Sequence, residues 1–236
     1  MASALAAEKG GAGRLELCDA LYDGGTTPSA GMISAVKAAV RIPVFVIVRP
    51  RGGGFVYTYE EAAVMRLDIE AARMLGADGI VVGALTSDAR VDEDQMRPLV
   101  DAARGLPVTF HRAFDFSRDR DEALETLMRL GVQRVLTSGG ASTAIEGVDT
   151  IRGLMRRGAG HIAVMAGGGV REETIQEIVH RAGVNEVHVR GTRAARLRMT
   201  PFPPGMSLRK GLPDDEQAWE ETDERRIRDF VRLANG

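Results

Sequence analysis

Lysine is scarce in this chain: it occurs only as Lys9, Lys37 and Lys210, none of them in a strand pattern. A Schiff-base aldolase of the usual barrel type therefore lacks its nucleophile. Cysteine is scarcer still, and the lone Cys18 excludes an internal disulfide and suits a reducing compartment. No apolar run approaches the roughly 20 residues that a membrane helix needs. The opening Met1 to Lys9 lacks the basic region of a signal peptide, so a cytoplasmic setting is expected. A formal charge of −2 gives no reason to expect nucleic acid or an acidic membrane surface as a partner. No Cys-x-x-Cys or His-x-x-x-His spacing supports zinc, no acidic cluster at the strand ends supports Mg²⁺, and no organic cofactor is indicated.

Glycine is plentiful, at 28 residues, and it punctuates a repeat. Gly11, Gly76, Gly131 and Gly183 each open a Gly-(Ala/Val)-x-x-apolar segment, at the place where a preceding helix ends and a left-handed residue is needed. Between these segments lie three strands of a second kind: Pro43 to Val48, Pro107 to His111 and His161 to Met165. Helical periods follow the strands, as from Glu60 to Leu75, Asp92 to Ala103, Asp121 to Leu130, Thr143 to Arg157 and Glu172 to Arg181. Seven βα units predict one domain over residues 1–236, a TIM (β/α)8-type barrel that lacks its first strand in this chain. The absent strand would precede Ala4, and a start further upstream is the expected reason. The proline-rich stretch 196–216 is expected as a long loop or lid, and 217–234 as a C-terminal helix.

Strand alternation sorts the side chains into two faces. Leu15, Leu17, Val44, Val46, Val48, Val108, Phe110, Val187 and Val189 share the parity that packs under helices. The other parity carries Glu16, Cys18, Phe45, Ile47, Arg49, Thr109, His111, Met165, His188 and Arg190, which predicts a barrel interior that is apolar below and polar toward the C-terminal strand ends. His111 is the candidate acid/base group, with Asp115 beyond its strand to orient it or act as a second such group, Glu16 as a further base and Arg49 as a holder of anionic groups. Arg51, Gly168, Gly169 and Arg190 are the anion-binding candidates, since Gly167-Gly168-Gly169 precedes a helix, although Glu172 and Glu173 in that helix would repel an anion. A barrel isomerase or lyase acting on a small anionic or phosphorylated compound fits this set.

Arg14-Leu15-Glu16-Leu17-Cys18, Gly24 to Ser29, Val44 to Gly53, Phe55 and Tyr57, Gly83 to Thr86, Pro107 to Asp115, Arg134 to Gly139 and Gly167 to Gly169 together resemble the CutC copper homeostasis family. The resemblance implies a TIM barrel, homo-oligomeric assembly and a cytoplasmic role in Cu(I) binding or handling. Ala166 replaces the proline usual in that family before the glycines, and Gly13 an aspartate. Cu(I) favours thiolate, thioether and imidazole. Cys18, His111 and His188 are therefore the candidate ligands, with Met165 or Cys18 of another subunit in reserve. Copper ion or a small anionic ligand is the expected partner.

Overall fold

The computed structural model describes residues 1–196 and 218–236. Seven parallel strands pair in chain order: β1 (Leu15–Leu17), β2 (Val44–Ile47), β3 (Gly79–Val82), β4 (Val108–Phe110), β5 (Arg134–Thr137), β6 (Ala163–Gly167) and β7 (Val187–His188). Parallel neighbours need crossovers, and helices supply them: α2 (Ala30–Ala39), α3 (Tyr59–Met74), α4 (Glu93–Ala102), α5 (Arg120–Arg129), α6 (Val148–Gly158) and α7 (Ile175–Ala182). α1 (Ala2–Lys9) comes before the sheet and α8 (Glu224–Asn235) after it. All four glycines of the repeat take left-handed φ, from +72° at Gly131 and Gly183 to +90° at Gly11. Side-chain caps from Ser29, Thr58, Asp92 and Asp119 start α2 to α5.

The two parities separate as the alternation predicts. Val44, Val46, Val48, Ile80, Val82, Val108, Phe110, Val135 and Val164 join the helices in one large buried cluster. Phe45, Ile47 and Val81 form a second, inner cluster, with Cys18 packed on it. Burial of each large aliphatic or aromatic side chain contributes about 1.5–3 kcal/mol. The helix-covered face therefore carries most of the stability, and the inner face is left free to hold polar groups.

The sheet is a curled half-barrel whose edges, β1 and β7, make no ladder with each other. An ionic cluster spans that seam. Glu186, just before β7, accepts from Arg14 Nη2 at 2.6 Å and from Arg134 Nε and Nη2 at 2.6 and 2.8 Å. Both guanidiniums lie over the Phe45 ring, at 4.9 and 5.5 Å. Burial alone would raise the Glu186 pKa, but Arg134 and Arg14 outweigh it and hold the carboxyl below its usual range.

The C-terminal region differs from the helix expected over 217–234. Ala218–Thr222 is a strand, β9, antiparallel to β8 (Thr192–Arg196), and the helix begins only at Glu224, where Asp223 caps it. Ile227 and Phe230 of α8 are buried. The loop or lid expected over 196–216 lies outside the described residues apart from Arg196, which ends β8.

Candidate functional site

Arg49 follows β2 at the C-terminal end of the sheet and is 4% exposed. Its Nη1 donates to the carbonyls of Asp23 (2.6 Å) and Gly25 (2.8 Å), and its Nη2 to that of Gly53 (2.7 Å). It thus fastens the loop after β1 to the loop after β2. Arg51 holds the second loop to α3: it reaches both Glu61 oxygens, at 2.5 and 3.1 Å, while Glu61 and Thr58 form the capping box of that helix. Arg51 also donates to the carbonyls of Gly52, Gly54 and Val56. Both arginines serve loop structure, and the anion expected at Arg51 would have to displace Glu61.

The loop so held carries Phe55 and Tyr57 over the strand ends. Phe55 lies 5.0 Å from the His111 ring, centre to centre, and 5.2 Å from the Arg49 guanidinium. On the far side of the imidazole, Gly83 makes room: a Cβ there would stand 2.7 Å from His111 Cε1. His111 is consequently buried, and its Nδ1 accepts from the Ala113 N–H at 3.2 Å, which places the proton on Nε2. Burial first, and Arg49 second, pull its pKa down to about 3. Where the sequence suggests an acid/base group, the fold holds a neutral imidazole donor.

Asp115 does not orient it. The loop after β5 takes that carboxylate instead, through Thr137 Oγ1 (2.5 Å), Ser138 N (3.0 and 3.1 Å), Ser138 Oγ (3.1 Å) and Gly140 N (3.0 Å), together with Arg112 Nε (2.7 Å). Glu16 lies 3.9 Å from His188 Nδ1 in the seam between β1 and β7, apart from the Arg49 hydrogen-bond network. Arg190 pairs with Glu220 of β9.

Seven buried side-chain atoms among the described residues have no hydrogen-bond partner, and four of them are donors on the inner face of β2 and β4 or on the loop after β2: Arg49 Nε, Tyr57 OH, Thr109 Oγ1 and His111 Nε2. Arg49 and Tyr57 also lie within reach of each other. Unpaired buried donors are costly, about 1–3 kcal/mol each, so four of the seven falling on these elements favours a place that meets acceptors. Sequence reasoning put Thr109 on the inner face without assigning it a role, and Tyr57 entered only through a resemblance. An aromatic hydroxyl just beyond a triglycine was the available signal.

Cys18 stands beyond β1 against Ile47 and the Gly25 backbone. Burial first, then Glu16 and Asp19, push its pKa up to about 12. It is a thiol at neutral pH, and copper ligation needs the thiolate. Among the described residues no group of three His, Cys, Asp or Glu side chains is gathered to hold a metal, so Cys18, His111 and His188 are not brought together as a set of three. Alkylation of Cys18 by iodoacetamide should be far slower than that of a free thiol at pH 8 and should keep rising about tenfold per pH unit past pH 9. A rate that levels off near pH 9 would contradict the burial described.

The half-barrel, with its polar residues gathered at the C-terminal strand ends, places this protein in the TIM-barrel class. No helix among the described residues is long and apolar enough to cross a membrane. The chain belongs to the CutC family, whose profile matches residues 1–193. It is 45% identical over 232 residues to the mouse copper homeostasis protein cutC homolog, covering 98% of this chain and 85% of the relative. To the human homolog it is 44% identical over 234 residues, with the same coverage. The crystal structure of the putative copper homeostasis protein CutC from Streptococcus agalactiae superposes with a TM-score of 0.72 at 39% identity, covering 74% of this chain and 87% of that one. N-(5'-phosphoribosyl)anthranilate isomerase from Pyrococcus furiosus, 16% identical with a TM-score of 0.56 over 100% of this chain and 95% of its own, shares the fold alone.

Proposed function

We propose that this CutC-family chain binds a small, acceptor-rich organic compound at the C-terminal mouth of its barrel and acts on it by hydrogen-bond polarisation. The carrying observation is the set of four orphaned donors on Arg49, Tyr57, Thr109 and His111. A neutral imidazole N–H, whose cation forms only near pH 3, polarises a carbonyl without giving up its proton. Phe55, on the Gly52-Gly53-Gly54 segment, would have to swing aside to admit the compound. A panel of small phosphorylated and carboxylated metabolites should include one that raises the melting temperature of the wild type and does so at least tenfold less tightly with Tyr57→Phe or His111→Asn. The reading falls if no member binds, or if both variants bind as the wild type does.

The names of the relatives favour a second reading, Cu(I) handling, with copper as cargo held by Cys18, alone or with its counterpart in a second copy of a homo-oligomer in the cytoplasm. Because a thiol with pKa about 12 must lose its proton to bind, Cu(I) affinity should climb about tenfold per pH unit from pH 6 to 9 and vanish in Cys18→Ser. Anaerobic titration with a competing chelator checks both points. Equal affinity in wild type and Cys18→Ser would end this reading.

A further inference from the structure

Arg112 lies between the ends of β4, β5 and β6, and sequence reasoning passed over it. Its Nε is held by Asp115 at 2.7 Å and its Nη2 by Ser138 Oγ at 2.8 Å, so the guanidinium is fixed although the side chain is 39% exposed. Its third nitrogen, Nη1, makes no hydrogen bond among the described residues. That nitrogen faces Gly168, where a Cβ would stand 2.9 Å from both Cζ and Nη1. Only a glycine, with φ of +102°, lets the arginine come this close. The next residue, Gly169, is exposed, also has positive φ (+62°), and its N–H donates to no acceptor among the described residues.

Arg112 and Asp115 form an ion pair without net charge, and Thr137, Ser138 and Gly140 donate to the same carboxylate. What Arg112 still offers is the unused donor of Nη1, beside the free Gly169 N–H. Of the two glutamates expected to repel an anion here, Glu172 is occupied: it takes Arg226 of α8 at 2.8 and 3.1 Å. The loop after the penultimate barrel strand is also where barrels commonly hold phosphate.

We propose that Arg112 Nη1 and the Gly169 N–H form a binding site for a phosphate group, the acidic end of the compound whose other end meets His111 and Tyr57. The site rests on the mouth reading given above but is tested separately. Inorganic phosphate, titrated at constant ionic strength against chloride, should shift the melting temperature or the amide resonances of the Gly168-Gly169 loop saturably in the wild type and equally in His111→Asn. Arg112→Lys and Arg112→Gln both keep a donor for Asp115, and each should weaken phosphate at least tenfold, the glutamine more. The proposal is overturned if phosphate gives the wild type no saturable shift beyond that of chloride, or if either variant titrates like the wild type. The mouth reading fails on different grounds: Tyr57→Phe and His111→Asn then both bind the metabolite panel as the wild type does, whatever phosphate does.

Discussion

Arg49→Ala is expected to cost about 2–4 kcal/mol of folding stability. Three carbonyls lose a charged donor: that of Gly25 is buried and left unsatisfied, at about 1–3 kcal/mol, whereas Asp23 and Gly53 are exposed and water relieves much of their loss. A domain has only about 5–15 kcal/mol to lose. Arg49→Met, which refills the volume but not the hydrogen bonds, should recover little of the loss, because packing is not what the side chain supplies. Arg49→Lys should fall between, since an ammonium offers donors without the planar fork that reaches two loops at once. Urea denaturation of the three variants checks the order. A loss below about 1 kcal/mol in Arg49→Ala would mean that the loops after β1 and β2 hold each other without it, and that Phe55 and Tyr57 are not positioned through this residue.

This role shows where sequence reading stops. Parity put Arg49 and His111 on the inner face, and the separation of Val44, Val46 and Val48 from Phe45 and Ile47 into two clusters follows the same rule. The glycine repeat marked the helix ends because a left-handed residue is a local demand. Partners are a different matter. Nothing near Asp115 in sequence tells that its carboxylate is taken by residues 137 to 140, more than twenty positions on. The charged face of Ala218–Thr222 reads as helix surface until Thr192–Arg196 is brought alongside, across a long intervening segment. Arg112 was hidden for the same reason: its place is set by Ser138 and Gly168, each supplied by another strand end.

Acid should destabilise this protein through His111, and the sign follows from linkage. In the unfolded chain the imidazole titrates near 6.5, whereas in the fold burial, aided by Arg49, lowers its pKa to about 3. Between those values the unfolded chain binds the extra proton. The histidine's contribution is therefore complete above about pH 6.5 and declines as pH falls toward 3, by up to about 1.4 kcal/mol per pH unit. Carboxylates change over part of the same range, so the informative quantity is the difference from His111→Asn, which keeps an acceptor for the Ala113 N–H and does not titrate. That difference should shift against the wild type by about 1.5 kcal/mol between pH 6.5 and 5, read from urea midpoints. Parallel curves would mean that His111 is hydrated or paired in solution, and the orphaned Nε2–H on which the mouth reading rests would be lost with it. A confirmed slope gives the donor role its footing: a side chain that resists protonation down to pH 4 presents the same N–H to a carbonyl across the whole physiological range, so no loss of binding or turnover between pH 5 and 8 should trace to this residue.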